Sequence, residues 1–270
     1  MLRKRANFMK EELRLAFDPK RFWGAMLLLF LCFNGFSLPN WLGMYDWDPE
    51  FRETSLMLTI EGIFFGGVML IMPLCANIPM APLQVDELRT SFVDWRIFRG
   101  SIRLYTLRKV TAAFVSGAAV AGGAFALHAF LWNILASPCN VTPESYSAIP
   151  FAEDCIYYSW QFMPGAWPIY VSMMLGISLC GGIWAITGIT AAVFVQDKLL
   201  SLILPFCVYY LWMAGLPNVL FGSGFPHPAD LYNDALTWPT VYQSVAVYLA
   251  FGLLCTLLYG AGLKRRVRNA

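Results

Sequence analysis

Six long apolar stretches constrain this chain more than any other feature: Phe22–Leu38, Met57–Met80, Val110–Leu135, Pro168–Val195, Leu199–Leu216 and Val241–Leu263. A helix that crosses a bilayer needs about 20 mostly apolar residues, within a range of roughly 17–25. The first and fifth stretches lie near the short limit, and the fourth is long enough to require tilt. Spanning strands would alternate polar and apolar residues over about ten positions, whereas these runs are continuous. The spacing predicts an all-α polytopic membrane protein with six transmembrane helices. Composition agrees. Hydrophobic residues make up 58% of the chain and charged residues 13%, against roughly 45–50% and about 25% in soluble globular domains. Such a balance excludes a soluble enzyme, a disordered chain and a nucleic-acid binder.

The charges are sorted along the sequence. All but Arg52 of the 19 Lys and Arg residues fall in four places: the N-terminal tail, the segment between the second and third stretches, Lys198, and the C-terminal tail. Basic residues accumulate on the cytoplasmic side, so both termini are expected in the cytoplasm. Trp23, Trp41, Trp132, Trp160, Trp167 and Trp238 sit near the expected interfaces. The organisation that follows is a cytoplasmic elbow over 1–21, a six-helix domain over 22–263 and a basic tail over 264–270. The first apolar run is followed by Ser37-Leu38-Pro39-Asn40, which offers no small-residue cleavage site, so it is expected as a retained span rather than a signal peptide. Gln196, Asp197 and Lys198 alone separate the fourth and fifth stretches, which predicts a tight helical hairpin.

Two segments outside the bilayer carry pattern. Met9, Leu13, Ala16 and Phe17 recur at helical spacing, with Lys10, Glu11, Glu12 and Arg14 directed elsewhere. This is the signature of an amphipathic helix lying in the interface. Asp18-Pro19 then supplies a cap and a first helical residue for the next helix. Over 84–109, Arg89, Arg96, Arg99 and Arg103 fall within about 80° on one helical face. Trp95, Phe98, Ile102 and Tyr105 fall opposite. The expectation is one basic amphipathic helix between the second and third spans. Attraction to anionic lipid is the simpler reading. The acidic Asp86, Glu87 and Asp94 among the basic residues suit a protein partner better. The last outward segment, 217–239, is broken by Pro217, Gly222, Gly224, Pro226, Pro228 and Pro239 into turns and short pieces.

Ionisable residues within spans are candidates for a polar path. Glu61 and His128 are the two, each with a simpler role open to it: Glu61 reaching the outer interface, His128 as a hydrogen-bonded packing residue. Gly62 with Gly66, Gly117 with Ala121 and Ser178 with Gly182 are small pairs at four-residue spacing that allow close helix approach. They serve packing within the chain or dimerisation. Pro73 and Pro205 interrupt their spans. Cys139 and Cys155 share one outward loop and could form a disulfide or stay as thiols. The remaining cysteines sit singly in spans, and no metal site is expected. No phosphate-cradling G-x-x-x-x-G-K-[ST] motif occurs, so any ATP would be bound by another polypeptide.

The order of elements is an elbow, two spans, a basic cytoplasmic helix and four more spans, with a Pro-rich outward segment before the last. Local text accompanies it: Pro73-Leu74, Pro79, Asp86, Arg99-Gly100, Tyr105, Lys109 and the small run Ser116-Gly117-Ala118-Ala119. This resembles the permease subunit of ABC-2 type ABC transporters, in particular the small bacterial six-span half-permeases. The resemblance implies a non-catalytic subunit of an exporter in the bacterial inner membrane. It would pair with a second permease subunit, the same chain or a paralogue, and dock on an ABC ATPase that holds ATP and Mg. Asp86, Glu87, Arg89, Asp94, Trp95, Arg96, Arg99 and Arg103 would form the ATPase-coupling interface. The segment 217–239 would match outward re-entrant helices. The alternatives are a secondary transporter and a non-transporting assembly or regulatory protein.

Overall fold

The computed structural model describes residues 2–43, 54–64, 68–90, 92–93, 97, 101–136, 153, 155–222, 225–226, 230–231 and 237–269. Among them, the regular elements are helices. In chain order they are α1 (Leu2–Ala16), α2 (Pro19–Gly43), α3 (Ser55–Phe64), α4 (Val68–Asn77), α5 (Ala81–Arg89), α6 (Ile102–Leu135), α7 (Ile156–Trp160), α8 (Trp167–Val195), α9 (Lys198–Met213), α10 (Leu216–Phe221) and α11 (Trp238–Asn269). A 3₁₀ turn, Pro164–Ala166, leads into α8.

Among the described residues, four helical stretches are long and apolar enough to cross a membrane: Pro19–Gly43, Ile102–Leu135, Pro164–Val195 and Trp238–Arg268. They display large apolar side chains on their outsides, among them Leu27, Leu31, Phe130, Ile134, Leu175, Leu253 and Leu257. An outside of that kind belongs in hydrocarbon rather than water. The fifth apolar stretch is the shorter helix α9, of 16 residues. The second is carried by two ten-residue helices, α3 and α4.

Helix ends follow local chemistry. The Asp18 carbonyl accepts from the Phe22 amide at 2.9 Å, which makes Asp18 the capping residue of α2 and Pro19 its first helical residue. Asp197 caps α9, its Oδ1 accepting from Leu199 N at 2.9 Å and Leu200 N at 3.0 Å. Gln196 closes α8 in the left-handed region at φ 54°. The hairpin expected at Gln196-Asp197-Lys198 is therefore present.

The single helix expected over 84–109 is absent. Helix α5 stops at Arg89, where Thr90 Oγ1 donates to the Asp86 carbonyl at 2.9 Å. Ser101 is extended, at φ −129° and ψ 146°, and its Oγ accepts from Leu104 N at 3.2 Å to start α6. Hydroxyl side chains compete for the backbone at both ends of this break. Arg89 and Arg103 consequently lie on different helices and share no face. Ile102 and Tyr105 belong to α6, which continues unbroken into the third apolar stretch. The basic tail is likewise not a separate segment, because α11 runs through it to Asn269.

Helix α8 is the hub. It packs along α6 and also touches α4, α5, α9 and α11. Its apolar window is 61% buried, against 22% for α11, which lies at the periphery. The small residues make the α6–α8 crossing close. A Cβ on Gly181 would stand 2.5 Å from Ala121 Cβ and 2.6 Å from the Gly117 carbonyl oxygen. Gly117 in turn faces Ala185 and Gly181, Gly122 faces Ser178, and Gly182 faces Phe114. These small residues therefore pack within the chain. Gly66 lies outside the described residues.

Candidate functional site

The basic segments of the sequence converge at one end of the bundle. At that end, Lys109 is fully buried on α6. It heads a stripe of buried residues, Ala112, Ala113, Ser116, Gly117 and Val120, spaced three and four apart. A cation on that face needs anions, because an unpaired charge in such surroundings is costly. Two elements supply them. Lys109 Nζ lies 2.7 Å from Glu12 Oε2 on α1 and 2.7 Å from Glu87 Oε1 on α5. Both carboxylates are nearly inaccessible, at 2% and 5% exposure.

The network extends to a fourth helix. Tyr105 OH donates to Glu87 Oε2 at 2.9 Å. Gln84 Nε2 donates to Tyr105 OH at 3.5 Å. Tyr259 OH, on α11, donates to Gln84 Oε1 at 3.1 Å. Arg266, near the end of α11, donates to the Leu88 carbonyl. Around this polar knot packs a second hydrophobic core built from Ala16, Met80, Leu88, Val93, Ile97, Ala112, Ile189 and Leu263, among others. One buried clasp thus joins α1, α5, α6 and α11.

The outer face of α5 makes looser contacts with the α8–α9 turn. Lys198 Nζ pairs with Asp86 Oδ1 at 2.6 Å. Arg89 Nη2 stands 3.8 Å from Asp197 Oδ2, and Arg89 Nε donates to the Gln196 carbonyl at 3.1 Å. These side chains are about half exposed. Solvated pairs of that kind are worth only about 0–1 kcal/mol each, so they guide the position of α5 without fixing it.

The expected coupling residues therefore separate. Glu87 points inward and belongs to the clasp. Asp86 and Arg89 face the α8–α9 turn. Arg103 is exposed on the first turn of α6. Asp94, Trp95, Arg96 and Arg99 lie outside the described residues. Glu12 and Lys109 were missed as site residues. Glu12 groups by sequence with the polar residues of α1, but it lies three residues from Met9 and four from Ala16 and is buried with that stripe. The signal for Lys109 was its position at the head of the small-residue stripe of α6.

Glu61 and His128 are held by different partners near the opposite end. Asn40 Nδ2 donates to Glu61 Oε2 at 3.0 Å. His128 is fully buried and sits 3.2 Å from Asn34 Oδ1 through Nδ1. Asn34 Nδ2 donates to the Phe30 carbonyl at 2.8 Å, so the amide oxygen faces the ring. His128 Nε2 lies against Gly62, where a Cβ would approach to 2.6 Å. His128 packs α6 against α2 and α3. Ser55 joins the same region, with Oγ 3.3 Å from both Asn133 Oδ1 and Tyr170 OH. Cys155 is buried and caps α7, its Sγ accepting from Tyr157 N at 3.4 Å. Burial pushes the Tyr157 phenol up to about 12, so it stays a donor, 3.5 Å from Ser172 Oγ. Cys139 lies outside the described residues, and with it the choice between a disulfide to Cys155 and two thiols. Among the described residues no group of three or more His, Cys, Asp and Glu side chains is arranged to hold a metal ion. No family model, no curated protein and no solved structure matches the chain.

Proposed function

We propose that this chain is the membrane-spanning permease subunit of an ATP-driven exporter of the ABC-2 type, coupled to a separate ATPase. In this reading the chain crosses the membrane six times, with α3–α4 and α9 as the second and fifth crossings. Both termini are cytoplasmic, α1 is the elbow, and a second permease subunit completes the path. ATP and Mg belong to the partner. One observation carries the reading: the short helix α5, between the second and third crossings, is clasped through Glu87 and Lys109 to α1 and α6. A helix so placed works as a lever. Force applied to the segment after α5 passes through the buried clasp to the elbow and the third crossing. The exposed pairs at Asp86 and Arg89 can break during the movement at little cost.

The docking surface in this reading is the stretch from Asp86 through Arg103, with Arg96 and Arg99 at its centre and Glu87 anchoring it from inside. The double substitution Arg96→Glu and Arg99→Glu is expected to lower capture of the ATPase subunit by tenfold or more, while the amount of chain inserted in the membrane stays unchanged. The measurement is quantitative co-purification from membranes holding equal amounts of wild type and variant. Undiminished ATPase capture by the variant would remove the coupling role from this segment.

A further inference from the structure

Helix α11 holds α5 at two points, one in each end turn of α5. Gln84, in the first turn, is fully buried, and its Oε1 accepts from Tyr259 OH at 3.1 Å. Leu88, in the last turn, accepts from Arg266 through its carbonyl oxygen. The last carbonyls of a helix have no partner within it, and a cation placed there also meets the negative end of the helix dipole. Arg266 therefore closes the C-terminus of α5 from another helix. Tyr259 and Arg266 stand about 10 Å apart along α11 at 1.5 Å of rise per residue. A single bond would leave α5 free to turn about it. Two bonds at separate points fix its direction as well.

Packing does little to join these two helices. Helix α5 packs on α8 and α9, and α11 packs on α8 and α6, while α5 and α11 share no run of close backbone. Leu88 and Leu263 belong to one apolar core, but apolar attraction is non-directional and fixes no register. Helix α11 is also the long crossing with least burial to lose by moving. Its apolar window is 22% buried, against 41% for α2 and more for α6 and α8. It meets the hub α8 partly through glycine, with Gly252 against Ile183 and Gly262 against Val193. Movement concentrates in elements with few buried contacts.

We propose that α11 is a crossing driven by α5, with Tyr259 and Arg266 as the positioning residues that make its cytoplasmic end follow α5. In the permease reading, on which this rests, force reaching α5 leaves by two routes. One runs through Glu87 and Lys109 to α6 and α1. The other runs through Gln84 and the Leu88 carbonyl to α11. The outer end of α11 at Trp238 lies about 30 Å along the helix from Tyr259, so a small tilt set at α5 becomes a larger displacement at the outer surface.

The test is hydrogen–deuterium exchange of the full chain with its ATPase subunit in lipid nanodiscs, without nucleotide and after trapping with ATP, Mg and vanadate. In wild type, trapping is expected to change exchange threefold or more both in peptides covering α5 and in peptides covering the outer turns of α11. The double variant Tyr259→Phe, Arg266→Met keeps the apolar bulk of both side chains and removes their bonds to α5. It should retain the α5 response and the captured ATPase while the α11 response falls below about 1.5-fold. Arg266→Met alone, at a half-buried position, should at least halve the α11 response, and it decides the matter if the double variant does not fold. The control Arg265→Met, Arg268→Met should behave as wild type. A wild type in which α5 responds and α11 does not would overturn the inference and leave the permease reading standing, as would a double variant with an undiminished α11 response. No response in α5, or no ATPase subunit to trap, would overturn the permease reading and this inference with it.

Discussion

Replacing Lys109 with Leu is expected to destabilise the chain by about 3–5 kcal/mol, the range seen when one partner of a buried ion pair is removed. The reason is the pair of carboxylates left behind. Glu12 and Glu87 each lie 2.7 Å from the Lys109 ammonium and are shut off from water. Without it they face one another's charge across a low-dielectric space. For a chain of this size the loss corresponds to a fall of about 10 °C in melting temperature, readable from tryptophan fluorescence in detergent. The triple variant Lys109→Met, Glu12→Gln, Glu87→Gln should lose much less than Lys109→Leu alone, because no charge is stranded. Equal losses in the two would mean that packing rather than charge holds this end together.

Leu at Gly117 should cost about 3 kcal/mol or more through overpacking at the α6–α8 crossing. Its first side-chain carbon would stand 2.5 Å from the Gly181 carbonyl oxygen and collide with Ala185 as well. Backbone cannot swing aside as a flexible side chain can, so the two helices must separate and the core around Val120, Ala121, Cys180 and Trp184 opens with them. The matched control is Gly24→Leu on α2, where nothing lies within 4 Å. There the change should be neutral or should stabilise by about 0.5–1 kcal/mol, since glycine is a poor helix residue. The measurement is the melting temperature of both variants beside wild type. A Gly117→Leu variant as stable as Gly24→Leu would rule out the close crossing.

The features legible in the sequence were those set by one segment at a time. Asp18-Pro19 announces the start of α2, and Gln196-Asp197-Lys198 the hairpin between α8 and α9. Apolar runs such as Val110–Leu135 announce helices through length. The small residues at Gly117 and Ala121 announce a close neighbour without saying which one. The features that were not legible need two segments at once. Lys109 reads as one more basic residue until α1 and α5 bring Glu12 and Glu87 to it. His128 reads as a lone ionisable residue of its span until Asn34 and Gly62 are seen against its ring, at the packing of α6 on α2 and α3. The break between α5 and α6 was hidden for a different reason. The periodicity of the arginines extends across it, but Thr90 and Ser101 claim the backbone locally, and buried Val93 and Ile97 join the second core instead. Charge periodicity does not carry one continuous helix past Thr90 and Ser101, whose hydroxyls bond the backbone there.

The central claim is that this chain serves as the permease half of an ATP-driven machine, with α5 as the lever. It is tested most directly by isolating the tagged full chain from its native membranes in mild detergent and identifying what accompanies it by mass spectrometry. The account predicts a near-stoichiometric partner that carries a phosphate-binding loop of the G-x-x-x-x-G-K-[ST] form. Reproducible isolation of the intact, folded chain without such a partner, even after crosslinking in the membrane, would contradict it.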